Sequence, residues 1–245
     1  IKQEKFMCKF GLIGKDIEYS FSRAYFKKKF EAEALPYSYV NFDLKNIDEF
    51  LSIINKTEHL KGLNVTIPYK EAVIPYLDKL SRKAKKIGAV NTIKITNKGN
   101  LIGYNTDCYG FEKSIKPFLK PHHKKALILG TGGASKAIIS SLTRMTIEYS
   151  YVSRQKAKKV QFTYGDLNEA IISEHQIIIN CTPLGTHPNI NECPDIPYDG
   201  ITNEHLLFDL IYNPEETKFL TVGKLKGAEI CNGLQMLEFQ AEKSW

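Results

Sequence analysis

The sequence predicts an α/β fold in two domains, and three observations carry that reading. Apolar strand-like runs alternate with helix-like segments along the whole chain, the habit of a mostly parallel sheet covered by helices. A polar break, Pro121-His122-His123-Lys124-Lys125, interrupts the alternation near the middle. Beyond it, Gly130-Thr131-Gly132-Gly133-Ala134 follows an apolar strand and opens an apolar helix, the setting in which a glycine loop cradles phosphate.

Length and composition agree with this. A chain of 245 residues, 42% hydrophobic and 25% charged, has enough interior for two modest cores without staples. No run of about 18 apolar residues reads as a membrane span. Residues 1–7 lack the apolar core and small-residue cleavage site of a secretory signal, so the expected location is the cytoplasm. Five cysteines (Cys8, Cys108, Cys181, Cys193, Cys231) are widely spaced with no Cys-x-x-Cys pair, which supports neither a disulfide framework nor a metal site. The net charge of +7 comes from lysine clusters scattered over different elements. Nucleic acid and membrane are therefore not expected as partners, whereas a small anionic ligand is.

Taken in order, strands are expected over 9–13, 37–43, 62–66, 91–96 and 101–105, the last two joined by Asn97-Lys98-Gly99-Asn100 as a hairpin turn. Helices fall between them at 21–30, 47–55, briefly from Tyr69, and at 80–86. A helix-like stretch over 107–119 leads into the polar break, and the domains divide there, as 1–106 and 107–232. The second domain continues with a strand over 126–129, the glycine loop and a helix over 135–145. Strands at 147–152, 177–180, 206–211 and 229–232 follow, then a last helix over 234–243.

The glycine loop makes the second domain Rossmann-like. Gly130, Gly132, Gly133 and Ala134 let the backbone approach a pyrophosphate that faces the unpaired N–H groups of the following helix. Ser135 fills the third glycine slot. A plain strand-to-helix turn without a ligand is the open alternative. After the second strand the chain reads Ser153-Arg154-Gln155, with no acid to repel a 2′-phosphate. Arg154 can pair with that phosphate and Lys158, one helical turn later, adds charge, so NADP(H) is favoured over NAD. A solvated basic helix start would read the same way. Thr182, in Asn180-Cys181-Thr182-Pro183-Leu184-Gly185, lies at a strand's carboxyl end, where open α/β sheets bind ligands.

Eight ordered motifs then point to one family. They are Ser20-x-Ser22, Asn64-x-Thr66-x-Pro68-x-Lys70, Ala89-Val90-Asn91-Thr92, Gly103-x-Asn105-Thr106-Asp107-x-x-Gly110, the glycine loop, Asn180-x-Thr182-Pro183-x-Gly185, Asp209-x-x-Tyr212-x-Pro214-x-x-Thr217, and Gly233-x-x-Met236-Leu237-x-x-Gln240. Over nearly its whole length the chain resembles the shikimate dehydrogenases. The resemblance implies NADPH-dependent reduction of 3-dehydroshikimate to shikimate in aromatic biosynthesis, by a monomer or homodimer. It also implies that the last helix packs back on the substrate domain, which residues 233–245 complete.

Chemistry gives the matched residues compatible tasks. Ser20 and Ser22, at a loop-to-helix junction, can donate two hydroxyls to one carboxylate, and Tyr212 resembles the family's third carboxylate contact. A helix cap is the plainer reading of the serines. Asn64, Thr66, Asn91, Asp107 and Gln240 offer the donors and acceptors that ring hydroxyls require. Lys70 can stabilise and protonate the oxygen that becomes negative as hydride arrives at a ketone carbon, with Asp107 holding it charged; a structural ion pair is the alternative. The resemblance puts Thr182, Gly233, Met236 and Leu237 on the nicotinamide side. The chain departs from the family's pattern at Tyr19 and Arg23, where His and Pro are usual, and at Ser153-Arg154-Gln155, where Asn-Arg-Thr is usual. A quinate/shikimate dehydrogenase using NAD is the nearest rival, and an NADP-binding sensor without turnover a more distant one.

Overall fold

The computed structural model describes residues 8–18 and 20–245. These divide into two compact units, one reaching to Thr106 and including Ser244, the other comprising 107–243 and Trp245.

The first unit contains β1 (Lys9–Gly14), α1 (Phe21–Ala32), β2 (Ser38–Asp43), α2 (Phe50–Lys56), β3 (Leu60–Val65) and α3 (Tyr69–Ala72). It continues with β4 (Lys79–Leu80), α4 (Arg82–Ile87), β5 (Thr92–Ile95) and β6 (Leu101–Tyr104). Its six strands run in the order β2-β1-β3-β5-β6-β4. β1 lies parallel to β2 and β3, while β5 is antiparallel to both β3 and β6. The expected hairpin between β5 and β6 forms, with Gly99 at φ 82° supplying the left-handed residue of its turn. Ile13, Leu44, Phe50, Leu63, Val65, Val73 and Ile93 are at most 3% exposed and form the core. The helix expected over 47–55 is a capped 3-10 turn (Ile47–Glu49) that runs into α2, because Asn46 and Glu49 form a capping box.

The second unit contains α5 (Asp107–Ile115), β7 (Lys125–Leu129), α6 (Gly133–Arg144), β8 (Glu148–Ser153), β9 (Phe162–Thr163) and α7 (Glu169–Glu174). β10 (Ile177–Asn180), β11 (Leu206–Asp209), α8 (Lys218–Leu225), β12 (Glu229–Cys231) and α9 (Leu234–Ser244) complete it. All six strands are parallel, in the order β12-β11-β10-β7-β8-β9. This is the doubly wound arrangement, with the strand order reversing between β7 and β10. Helices on both faces explain the unbroken apolar strands: Ile177 and Ile179 pack with Ile128, Phe208 and Phe111, whereas Ile178 packs with Leu127, Leu207 and Phe219 on the other side.

Four elements went unread in the sequence: β4, β9, α7 and α8. Two are strands of two residues, too short for a period. α7 and α8 carry proper N-caps, Asn168 to Ile171 N–H and Thr217 to Leu220 N–H. The helix expected to carry Lys158 does not form; residues 154–155 bend and Lys158 sits in a turn. α9 is grouped with the second unit apart from Ser244. It lies close against α5, where a Cβ on Gly110 would overlap the Met236 carbonyl oxygen and come within 3.0 Å of Gln240 Cβ.

Candidate active site

In the first unit a belt of polar side chains crosses one face of the sheet. Ser20 caps α1, accepting from Arg23 N–H at 3.4 Å and donating to Asn41 Oδ1 at 3.0 Å. Asn41 in turn donates to the Ile17 carbonyl at 2.6 Å. The Tyr39 phenol donates to Asn64 Oδ1 at 2.8 Å. The Asn64 amide reaches the Asn91 carbonyl at 3.3 Å and Thr92 Oγ1 at 3.4 Å. Asn91 Nδ2 donates to Thr106 Oγ1 at 2.9 Å, while its Oδ1 accepts from Thr106 N–H at 2.9 Å and Thr92 Oγ1 at 3.0 Å. Strand register explains the shared face. Tyr39 stands opposite Phe10, while Asn41 and Asn64 both stand opposite Leu12, two residues on.

The belt ends where chemistry is expected. Thr106, fixed on both its N–H and its hydroxyl by Asn91, precedes Asp107, a 5% exposed residue that opens α5. A carboxylate there is favoured by the helix N-terminus. Lys70 lies in α3, half-buried, on a backbone held from two sides. Its carbonyl accepts Val90 N–H at 2.7 Å, and the hydroxyl of neighbouring Tyr69 donates to the Leu44 carbonyl at 2.7 Å. Thr66 is half-buried just beyond β3, its N–H bonded to the Ile13 carbonyl at 2.8 Å.

In the second unit the glycine loop sits at the reversal of strand order. Gly130 has φ 100°, and a Cβ there would lie 3.1 Å from Thr182 Cγ2 and 3.3 Å from the Cys181 carbonyl oxygen, so a side chain is excluded twice. Gly132 caps α6 and has open space where a Cβ would stand; Gly133 and Ala134 begin the helix. Ser135 is fully buried beneath the loop, donating to the Gly132 carbonyl at 2.7 Å and meeting the Tyr151 hydroxyl at 3.2 Å. Ser153 ends β8, and Arg154 and Lys158 are exposed beyond it. The donor set of open helix N-terminus and two exposed cations fits a phosphorylated dinucleotide.

Thr182 is positioned by a buried network that the sequence did not reveal. Its N–H and hydroxyl donate to Asn180 Oδ1 at 3.0 and 2.7 Å, and Asn180 Nδ2 donates to Asp209 Oδ1 at 3.1 Å. Asp209, wholly buried, also accepts from Thr217 Oγ1 at 2.6 Å and Ile211 N–H at 3.0 Å. Burial outweighs these donors and pushes its carboxyl up to about 6. Gly233 caps α9 and donates to the Ile211 carbonyl at 2.9 Å. Tyr212, half-buried beyond β11, has its phenol pushed up by burial. Gln240 is 7% exposed on α9 and donates to the Leu237 carbonyl at 2.9 Å; Met236 is core, packed with Phe111 and Phe208.

A family model described as the shikimate dehydrogenase substrate binding domain matches residues 12–93. The shikimate dehydrogenase (NADP(+)) of Methanococcus vannielii is 38% identical, the match covering 96% of this chain and 89% of that protein. The chain belongs to the shikimate dehydrogenase family. The solved structure of shikimate dehydrogenase 1 from Peptoclostridium difficile is 38% identical with a TM-score of 0.83, covering 97% of this chain and 90% of that one. Shikimate 5-dehydrogenase from Thermus thermophilus, solved with NADP(H) and shikimate, gives a TM-score of 0.86 at 29% identity, covering 97% and 92%.

Two departures from the family's pattern bear on the carboxylate end. Tyr19 lies outside the described residues. Arg23 is exposed, and its guanidinium turns back to the Glu18 carbonyl at 3.2 Å. Tyr39 and Asn41 escaped the sequence reading, although their alternation along β2 placed two polar groups on one face.

Proposed function

We propose that the protein is an NADP-dependent shikimate dehydrogenase that reduces 3-dehydroshikimate to shikimate in chorismate and aromatic amino-acid biosynthesis. The observation that carries this reading is the glycine loop beside Thr182 at the reversal of strand order. It supplies a dinucleotide site in a chain whose other unit presents hydroxyl and amide groups on one sheet face. Curated relatives at 38% identity bear the NADP(+) name.

Ser20, Ser22 and Tyr212 hold the substrate carboxylate, and Asn64, Thr66, Asn91, Asp107 and Gln240 hold the ring hydroxyls. When bound, NADPH supplies hydride to the ketone carbon. Lys70 meets the developing oxyanion as a donor and delivers its proton, with Asp107 holding the ammonium in place. In the oxidative direction the same pair accepts the proton. Gly130, Gly132, Gly133 and Ala134 hold the pyrophosphate, Ser153, Arg154 and Lys158 the 2′-phosphate, and Thr182 and Gly233 the nicotinamide side. Residues 1–106, completed by 233–245, serve the substrate, and 107–232 serve the cofactor. The enzyme works in the cytoplasm as a monomer or homodimer, without nucleic-acid or membrane partners. Among the described residues no helix is long and apolar enough to cross a membrane.

The test is spectrophotometric. Purified protein is given shikimate or quinate with NADP+ or NAD+, and reduced nicotinamide is followed by absorbance. Turnover should be fastest with shikimate and NADP+. No turnover, or a preference for quinate with NAD+, would contradict the reading.

A further inference from the structure

We propose that the amino-terminal edge of the second unit's sheet is an acid-sensitive seam, in which His123, His175 and His205 fasten successive loops to one another and protonation of His123 releases the first fastening. The inference does not depend on the function proposed above, because it concerns the edge of the sheet opposite the glycine loop.

Each histidine stands just ahead of a parallel strand: His123 before β7, His175 before β10 and His205 before β11, three neighbours in the sheet. All three are at most 5% exposed. Two of them close matching turns. Lys120 N–H donates to His123 Nδ1 at 3.0 Å while His123 N–H returns to the Lys120 carbonyl at 3.0 Å. Thr202 N–H donates to His205 Nδ1 at 3.1 Å while His205 N–H returns to the Thr202 carbonyl at 3.1 Å. With Nδ1 accepting, the ring proton sits on Nε2. His123 Nε2–H then donates at 3.2 Å to the carbonyl of Glu204, inside the second turn, and His205 Nε2–H donates to the Ile172 carbonyl at 3.1 Å. His175 carries the other tautomer: Nδ1–H donates to the Ile171 carbonyl at 2.7 Å, and Nε2 accepts from Ser150 Oγ of β8 at 3.2 Å. First turn, second turn, α7 and β8 are thereby joined in series.

A protonated imidazole has two N–H donors and no acceptor. On His123 the second proton would point at the Lys120 N–H, donor against donor, and the turn that leads into β7 would lose a closing bond. On His175 the cost is smaller, because the Ser150 hydroxyl can rotate and accept. The charged and titratable groups around His123 are Glu204, Lys120 and His122, whose Nε2 lies 3.2 Å from the Glu204 carboxylate. Burial holds His123 below the ordinary 6.5; His122 and Lys120 push the same way, and the Glu204 carbonyl and carboxylate offset them only in part. Burial likewise lowers His175, with Lys125 pushing the same way and the Ile171 carbonyl and Glu174 opposing. The folded protein therefore binds these two protons less tightly than the unfolded chain. Stability from these groups is intact above about pH 6.5 and is lost as pH falls toward the folded values.

The test uses the intact protein, as wild type and as His123→Gln, whose amide can still donate but does not titrate. Nitrogen-15 NMR of the wild-type rings reads both tautomer and titration. The seam predicts a proton on Nε2 of His123 and on Nδ1 of His175, with both rings titrating below about 6.5. It also predicts that protection of the Lys120 amide against hydrogen exchange falls more steeply between pH 7 and pH 5 in wild type than in His123→Gln. Over the same interval the unfolding constant of wild type should rise at least about threefold more than that of the variant, against a ceiling of about tenfold per pH unit for one histidine. A His123 ring protonated on Nδ1, or titrating at or above about 6.5, overturns the proposal, as does Lys120 protection that follows pH equally in both proteins. Should His123→Gln not fold, the wild-type ring titration and Lys120 protection decide alone, and protection that does not fall with pH overturns the seam.

Discussion

Gly110→Ala is the most informative single-atom perturbation of the second unit. Gly110 lies in α5 with α9 directly against it, and an added Cβ would overlap the Met236 carbonyl oxygen while sitting 3.0 Å from Gln240 Cβ and 3.1 Å from Gln240 N. Helix backbone cannot turn aside as a side-chain tip can, so α9 must retreat by on the order of 1 Å. Overpacking of that kind costs about 1–3 kcal/mol, which for a chain of this size lowers the melting temperature by roughly 2–12 °C. If Gln240 holds a substrate hydroxyl as proposed, the same retreat disturbs that contact, and a displacement near 1 Å at a positioning group costs up to about 100-fold. Thermal melts monitored by circular dichroism, paired with KM for shikimate, read both effects. A melting temperature within about 1 °C of wild type together with an unmoved KM would show that the close α5–α9 approach is neither tight nor connected to the site.

Two further substitutions test the cofactor side. Arg154→Ala should weaken NADPH about tenfold or more while barely changing NADH, because only the former carries the 2′-phosphate; equal losses in fluorescence titrations with both would remove Arg154 from that role. Asp209→Asn tests the buried network behind Thr182 through pH. With its carboxyl at about 6 in the fold against an ordinary 3.8, the folded state binds the proton more tightly than the unfolded chain. Stability contributed at this group is therefore present below about pH 4 and is lost as pH rises through about 6, by ~3 kcal/mol in all. Denaturant unfolding should show the variant gaining on wild type by about that amount between pH 4 and pH 7, and a pH-independent difference would show that Asp209 titrates as it does when unfolded.

Much of the architecture was legible because its signals are local. The run Ile177-Ile178-Ile179 is apolar at every position, as a strand covered on both faces must be, and the glycine loop announced the turn from β7 into α6. Ser20 and Ser22 were legible as a pair at a helix start, and Ser20 does cap α1. Less legible were features made by register and burial. Tyr39 and Asn64 are 25 residues apart and meet only because β1 lies between their strands. Asp209, Asn180 and Thr217 form a network that no spacing rule encodes, since it depends on β10 and β11 being neighbours. The helix expected around Lys158 failed where Lys156 is instead drawn to Asp166 at 3.0 Å, next to the short strand β9.

In the proposed function Lys70 performs the proton chemistry of a hydride transfer on shikimate. Steady-state kinetics of Lys70→Ala with shikimate and NADP+ address it most directly, alongside a calorimetric measurement of shikimate binding to the same variant. The expected outcome is a kcat lower by ~100-fold or more with a smaller change in KM and binding retained. A variant that turns over as fast as wild type would contradict it.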